Sequence, residues 1–198
     1  MDDEIKIQAQ VLSDEQCEFT VDRPVCGSRS IYFKDREAAE SSPLAQKIFE
    51  LEDVVGVLLS DNVVKVSTTG FPEWMPLAKH IGSIIRSQLQ SDVAAVSEEA
   101  WAKLPSEEEI CQKVQTLLDK ELNPAISGHG GFVDLVRVKG NSVYLRLGGG
   151  CQGCGMANVT LRMGIERAIR DRIPEVGEIL DVSDHRSGRN PYYASPAQ

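Results

Sequence analysis

Two cysteines separated by two residues, Cys151 and Cys154, are the residues of this sequence best suited to chemistry. Five glycines surround them, at positions 148, 149, 150, 153 and 155. Glycine permits positive φ angles and lets backbone N–H groups approach whatever the sulfur atoms hold. Closely spaced cysteines in a chain without a secreted disulfide pattern bind metals or carry out dithiol redox chemistry. The pair is therefore the candidate metal-binding or redox site.

The number of thiols limits what the pair can hold. Structural zinc and iron–sulfur clusters are typically held by four protein ligands, and this motif supplies two. The other three cysteines, Cys17, Cys26 and Cys111, form no second close pair in the sequence. A second copy of the chain is the simpler source of two further thiolates. Four cysteine ligands suit a [4Fe-4S] cluster or zinc, and sulfur donors alone do not choose between them.

Three further residues were considered as contributors to this site. Cys111 lies in a predicted helix beside Ile110 and Val114, which favours a buried cysteine without a ligand role. His129, between Gly128 and the next two glycines, is interpreted as a hydrogen-bonding turn residue, with a supporting role behind the ligands left open. His185 begins the C-terminal tail, and we expect no specific function for it.

The elements around the cysteine pair predict a small α+β domain. Ser106 and Glu109 form a capping box that opens a helix, which Pro124 and the following glycines are expected to stop. Because Cys154 precedes the last helix, the helix dipole favours its thiolate. The predicted order is a helix over 106–122, a hairpin of strands 132–138 and 142–147, the cysteine loop, a helix over about 157–173 and a strand over 176–182.

The first half predicts a second α+β unit. Ile5, Ile7, Ala9 and Val11 alternate with polar residues, as in a half-buried strand. The other predicted elements are strands over 17–21 and 30–33, a helix opened by Ser42-Pro43, a hairpin of strands 54–59 and 63–66, and a helix over 74–89. We predict two small α/β-sandwich domains, 1–90 and 106–185, joined by a linker over 91–105 and followed by a flexible tail over 186–198.

Charge is unevenly distributed over the 198 residues, whose net charge is −9. Residues 1–100 carry all of this excess, and residues 101–198 are neutral in sum. A nucleic-acid partner is not expected, because phosphate contacts require a concentrated basic face. The arginines of the last helix form either a solvated face or a docking surface for an acidic partner: Arg162, Arg167, Arg170 and Arg172.

The sequence also indicates where the protein acts. No apolar run approaches the roughly 20 residues of a membrane helix, so no membrane association is expected. The first residues, Met1-Asp2-Asp3-Glu4, are acidic, unlike a secretory or transit segment. We expect a protein of the bacterial cytoplasm, or a mature chain that has already lost its presequence.

Several short motifs resemble one family. Gly149 to Cys154, followed by Val159-Thr160-Leu161 and Gly164-Ile165-Glu166, is similar to the C-terminal domain of NifU-like (Nfu-type) iron–sulfur proteins. Asn123-Pro124 and His129-Gly130-Gly131 also fit, so the resemblance covers about residues 106–185. The first half resembles the Nfu N-terminal domain at these positions: Ser42 to Ala45, Phe49, Val55 to Val57, Asp61, Val64 to Lys65 and Trp74.

The resemblance implies a carrier rather than an enzyme. Such a protein holds a labile [4Fe-4S] cluster across a homodimer, receives it from an upstream assembly system and passes it to apo iron–sulfur proteins. The ligands carried over by the resemblance are Cys151 and Cys154 only.

Two alternatives use the same cysteines. A dithiol oxidoreductase would have Cys151 as nucleophile and Cys154 as resolving residue. Its motif usually follows an early strand of a βαβ pattern, whereas here it follows a late antiparallel hairpin. A structural zinc site shared by a dimer is the second alternative.

Overall fold

The computed structural model describes residues 4–27, 29–91, 93–128, 130–149 and 155–182, with backbone only for 149 and 155–160. The chain divides into two compact units, Met1–Leu104 and Pro105–Gln198. Each unit combines a sheet with helices around its own hydrophobic core, which confirms the predicted α+β class. None of the described helices is long and apolar enough to cross a membrane.

The first unit is built on a five-stranded antiparallel sheet in the order β1-β2-β5-β4-β3. Its strands are β1 (Ile7–Ser13), β2 (Gln16–Val21), β3 (Ser30–Phe33), β4 (Val54–Ser60) and β5 (Val63–Thr68). Its helices are a 3-10 turn (Ala38–Ser41), α1 (Pro43–Ile48), α2 (Trp74–Leu89) and α3 (Glu98–Ala102). The helix predicted over 74–89 and the hairpin of β4 and β5 are confirmed.

Strand β1 is more exposed than its alternating sequence predicts. Ile5, which precedes the strand, is buried, whereas the five central residues of β1 are exposed. β1 lies at the edge of the sheet, where β2 is its neighbour. The prediction of a half-buried strand is wrong, because this edge strand is covered less completely than the inner strands β4 and β5.

The linker predicted over 91–105 belongs largely to the first unit. Ala95, Val96 and Ala100 are buried in its core, and α3 lies within the same segment. The Ser42 hydroxyl donates a 2.6 Å hydrogen bond to the Ala95 carbonyl. This segment packs against the first unit through small side chains and a hydrogen bond to its backbone. It therefore lacks the periodic large apolar residues by which packed segments are recognised in a sequence.

The second unit begins with a helix that continues past its predicted end. The capping box of Ser106 and Glu109 opens α4 (Glu107–Leu117), which runs into a π-helical turn (Leu118–Leu122) and then α5 (Asn123–Ser127). Pro124 therefore lies inside helical backbone, contrary to the prediction that it ends the helix. The wider π turn, closed by the Asn123 N–H on the Leu118 carbonyl, avoids the clash that proline causes in a regular helix.

A three-stranded sheet in the order β6-β7-β8 completes the second unit. Its elements are β6 (Gly131–Lys139), β7 (Ser142–Gly149), α6 (Gly155–Arg172) and β8 (Ile179–Asp181). β6 and β7 form the predicted antiparallel hairpin, and β8 pairs with β7 in parallel through α6. The predicted tail over 186–198 lies outside the described residues.

Candidate metal centre

The cysteine loop joins a strand end to a helix start. Cys151 and Cys154 lie outside the described residues, but both ends of their loop are described: β7 ends at Gly149 and α6 begins at Gly155. Cys154 is therefore the residue directly before an 18-residue helix. The positive end of a helix dipole favours thiolate over thiol, which is the form that binds metals.

A second glycine segment runs beside the start of this loop. Gly131, the first residue of β6, is paired with Gly149, the last residue of β7. Gly130 has φ of 70°, a left-handed conformation that glycine adopts without strain. His129, the candidate turn residue, lies outside the described residues and precedes Gly131 by two positions. The tertiary fold thus places the backbone that follows His129 next to the backbone that precedes Cys151.

One register position further from the loop, an aromatic ring covers a glycine. Phe132 is paired with Gly148, and a Cβ atom added to Gly148 would overlap the Phe132 ring. The Phe132 side chain nevertheless stays 44% exposed. No pattern in the sequence marks Phe132 as part of the site. Its only sequence signal is a glycine within a strand, which marks a close approach of another group.

Asn123 ties α5 to the start of β6. Its side-chain nitrogen donates to the Val133 carbonyl at 3.0 Å, and the Val133 N–H donates to its side-chain oxygen at 2.8 Å. These two hydrogen bonds join the residues on either side of segment 124–132, which contains the second glycine segment. The Asn123-Pro124 pair is visible in the sequence, but the contact of Asn123 with the Val133 backbone is not, because Val133 lies ten residues later in the chain.

The sheet face opposite the core carries polar partners. Val133 and Leu135 of β6 contact the core, so alternation along the strand directs Phe132 and Asp134 to the other face. There the Arg146 guanidinium lies 3.4 Å from the Asp134 carboxylate. Further along, the Arg137 guanidinium lies 4.2 Å from the centre of the Tyr144 ring. This outer face, from Phe132 to Arg137 and across to β7, carries charges of both signs.

The arginines of α6 do not form one solvated face, which corrects the first of the two predicted interpretations. Arg170 is only 8% exposed and donates to the Val176 and Gly177 carbonyls at 3.3 and 2.9 Å. The same side chain pairs with Glu166 at 3.0 Å. Arg170 therefore stabilises the turn that leads into β8. Because its guanidinium is buried there, it is not available to bind an acidic partner.

Burial makes two of the other three cysteines poor metal ligands. Cys17 is buried in the core of the first unit, and burial raises the pKa of its thiol to about 11. Burial likewise raises the pKa of Cys26 in the same unit to about 11. Cys111 on α4 is half-buried, less than predicted. In the described part of the chain, no three His, Cys, Asp or Glu side chains are grouped to hold a metal ion.

Together these features define a class: a two-unit α+β protein whose second unit presents a glycine-flanked cysteine pair before a helix. Residues 7–92 match the family model of the scaffold protein Nfu/NifU N terminal, and residues 114–180 match that of the NifU-like domain. The two matches follow each other along the chain and together cover more than half of it. The chain therefore belongs to the Nfu-type, NifU-like family.

Curated relatives support this assignment. The Fe/S biogenesis protein NfuA of Pseudomonas aeruginosa is 45% identical over 96 residues, which are 46% of this chain and 50% of that protein. The protein of the same name from Pseudomonas syringae pv. tomato is 43% identical over 99 residues, with the same coverage of both chains. The chain spans about half the length of the curated relatives it matches.

Solved structures give a more distant likeness. The solution NMR structure of a NifU-like protein from Saccharomyces cerevisiae is 18% identical, with a TM-score of 0.43, over 50% of this chain and 91% of that chain. A crystal structure from Staphylococcus aureus is 14% identical, with a TM-score of 0.34, over 41% of this chain and 96% of that chain.

Proposed function

We propose that this protein is an iron–sulfur cluster carrier. Cys151 and Cys154 from each of two copies hold one [4Fe-4S] cluster, which is cargo and passes to apo iron–sulfur proteins. Membership of the Nfu-type family and similarity to proteins named Fe/S biogenesis protein NfuA support this role. The observation that carries it is the short loop between Gly149 and Gly155, which offers two thiols and glycine on either side.

Two copies are required by the ligand count. A [4Fe-4S] cluster takes four cysteine thiolates, and each loop supplies two. Cys17 and Cys26 belong to the first unit and hold their protons strongly, because burial raises the pKa of both thiols to about 11. A metal ligand must be deprotonated, so these thiols compete poorly with those of a second loop.

Release of the cluster follows from how few ligands each chain contributes. Cysteine thiolates of a recipient displace the carrier thiolates one at a time, and separation of the two copies frees the cluster. This exchange makes and breaks only metal–sulfur bonds, so the protein acts as a carrier rather than an enzyme. The glycines around Cys151 and Cys154 leave room for the approaching recipient chain.

The partners are then an upstream cluster assembly system and apo-proteins of the cytoplasm. Residues 1–100 hold the whole net charge of −9, which suits the selection of recipients by the first unit. The same charge disfavours nucleic acid as a partner.

A dithiol oxidoreductase is the second candidate, and one observation favours it. The sequence suggested that the cysteine pair lies outside a βαβ pattern, but β7 and β8 are parallel neighbours joined through α6. A cysteine pair between a strand and a helix of such a unit is also how redox Cys-x-x-Cys motifs are placed. In that reaction a substrate disulfide is reduced to two thiols while Cys151 and Cys154 lose two electrons and two protons and form a disulfide.

Anaerobic reconstitution with iron and sulfide, followed by native mass spectrometry, tests the proposal. We expect a dimer that gains one four-iron, four-sulfide unit. Cys154→Ala should lose this unit, whereas the matched control Cys111→Ala, in the same unit but outside the loop, should keep it.

Three results would contradict the proposal. Full loading of Cys154→Ala would exclude this residue as a ligand. A dimer that takes up zinc in place of iron and sulfide would indicate the shared zinc site. A monomer without iron that loses the mass of two hydrogen atoms on oxidation would indicate dithiol chemistry.

A further inference from the structure

We infer that Phe132, with Asp134 and Arg146 beside it at the loop end of the outer face, forms the contact between two copies of this chain when they share a cluster. The inference rests on the proposed function, because a shared cluster brings the two cysteine loops together. What it adds is the surface on which the copies meet. The occupant of this surface is a second copy, related to the first by a two-fold axis.

The position of Phe132 places it directly behind the loop. Gly131 and Gly149 are the last pair of the β6–β7 ladder, and Phe132 and Gly148 are the next pair. One residue along a strand is about 3.3 Å, so the backbone of Phe132 lies one such step from the residue pair at which the cysteine loop departs. When two loops face each other across one cluster, the residues immediately behind them face each other too.

The ring of Phe132 is only partly covered by its own chain. Phe132 is 44% exposed although an aromatic ring gains free energy by leaving water. The ring lies flat enough against β7 that Gly148 has no room for a Cβ atom. It is therefore held in place at the base of the loop, and a second ring at the same place on a partner copy would cover it.

Charge argues for a second copy rather than a recipient. Beside Phe132 the outer face carries Asp134 and Arg146, whose side chains are 47% and 59% exposed. A two-fold axis brings each patch onto the same patch of the other copy, so Asp134 of one copy can meet Arg146 of the other. Residues 101–198 are neutral in sum, so the second units of two copies do not repel.

The edge of β6 does not offer an alternative route. Asn123 occupies both the N–H and the carbonyl of Val133, so a second copy cannot extend the sheet there by backbone pairing. Beside Phe132, the groups of β6 that remain available to a second copy are therefore the side chains of the outer face.

The test compares two substitutions on the same strand of the full-length protein. Phe132→Glu places a negative charge at the proposed contact, where two copies would bring two such charges together. Val136→Glu is the matched control, because Val136 is 47% exposed and lies at the bulge of β6, four residues further from the loop and outside the proposed contact. Phe132→Ala, which removes the ring without adding charge, is the second variant if Phe132→Glu does not fold by circular dichroism.

Each variant is loaded anaerobically with iron and sulfide, and its dimerisation is measured by sedimentation velocity. We expect the loaded dimer of Phe132→Glu to dissociate at about tenfold higher concentration than wild type, as for loss of a central contact residue. For Phe132→Ala we expect a smaller increase in this dissociation concentration, and the loaded dimer of Val136→Glu should dissociate at the same concentration as wild type.

The outcomes separate this inference from the proposed function. If wild type and Phe132→Glu load and dimerise equally, the contact is wrong and the carrier function stands. If Phe132→Glu dimerises normally but delivers its cluster to an apo-acceptor more slowly than Val136→Glu, the surface meets recipients and the second copy is wrong as occupant. If wild type gains no cluster-bound dimer, both are overturned.

Discussion

Gly131 and Gly149 are paired at the end of the β6–β7 ladder, so two glycine-rich segments leave the sheet side by side. One of them continues to Cys151 and the other is preceded by His129. Glycine at both positions leaves space around this pair that side chains would otherwise fill. The arrangement makes the geometry of the cysteine loop depend on how firmly the start of β6 is held.

Asn123 should be important for holding that start. Asn123→Ala leaves the N–H and the carbonyl of Val133 without their present partners, and we expect the free energy of unfolding to fall by about 1–3 kcal/mol. Hydrogen exchange at residues 131–133 should accelerate. Gln115→Ala, which removes an exposed side-chain hydrogen bond on α4, is the control and should cost less than about 0.5 kcal/mol. Equal effects of both substitutions would contradict this role of Asn123.

Gly148 should tolerate a side chain only when Phe132 is removed. The φ angle of Gly148 lies outside the left-handed region, and the three atoms nearest to an added Cβ all belong to the Phe132 ring. We expect this substitution to cost about 1–3 kcal/mol, because the ring must leave its place. In a Phe132→Ala background the same substitution should cost much less. A double-mutant cycle by urea unfolding measures the difference, and additive effects would show that the two residues are not coupled.

Arg170 should stabilise the second unit much more than its neighbour Arg167. Arg170→Ala removes hydrogen bonds to two carbonyls and leaves Glu166 without its partner, so we expect a loss of about 2–4 kcal/mol. Arg167 is exposed on the same helix, and Arg167→Ala should change stability by less than about 0.5 kcal/mol. Thermal unfolding compares the two variants, and similar melting temperatures would rule out the anchoring role.

Cys17 and Cys26 should react slowly with iodoacetamide in the folded protein. Burial raises the pKa of both thiols to about 11, and alkylation requires the thiolate. At pH 8 only about 0.1% of such a thiol is ionised, and the fraction rises about tenfold with each pH unit towards 11. Labelling at pH 8 with peptide mapping should therefore find both residues unmodified until urea is added. Rapid labelling of the folded chain would show that these thiols are accessible and ionised.

Ser42 should contribute more than an ordinary helix cap. Its hydroxyl oxygen accepts a hydrogen bond from the Ala45 N–H at 3.1 Å, and its O–H donates to the Ala95 carbonyl at 2.6 Å. We expect Ser42→Ala to lower the free energy of unfolding by about 2 kcal/mol. Ser97→Ala removes the cap of α3, a longer bond of 3.4 Å, and should cost about half as much. If Ser42→Ala costs no more than Ser97→Ala, the bond to Ala95 adds nothing to the cap.

Local patterns were sufficient for the elements that depend on short stretches of sequence. The apolar stripe between Trp74 and Leu89 predicted α2 with the observed ends, and the Ser106 capping box predicted the start of α4. Two strands separated by Asp61 and Asn62 predicted the hairpin of β4 and β5, in which Asp61 has φ of 47°. Periodicity, capping and turn chemistry act between residues that are close in the chain, so the sequence carries them directly.

Features that depend on distant residues were predicted wrongly or not at all. The segment around Ala95 packs against the first unit, where the Ser42 hydroxyl, more than fifty residues earlier in the chain, donates a hydrogen bond to the Ala95 carbonyl. Pro124 lies in helical backbone because the π turn before it avoids the clash of its ring with the preceding turn. Arg170 is buried because it donates hydrogen bonds to the carbonyls of Val176 and Gly177, beyond the end of its helix. None of these partners can be identified from the residue that depends on it.

The sequence by itself determined the chemistry of this protein: two thiols, their spacing, the glycines around them and the family to which they belong. Only the tertiary structure decided what surrounds that chemistry. Antiparallel register brings Gly131 beside Gly149 and Phe132 over Gly148, and the parallel pairing of β8 with β7 places the loop in a strand–helix–strand unit. The reactivity of a thiol is a property of a single side chain. Which residues surround it depends on how distant segments of the chain pair, and burial and hydrogen bonding determine that pairing only when the whole unit folds.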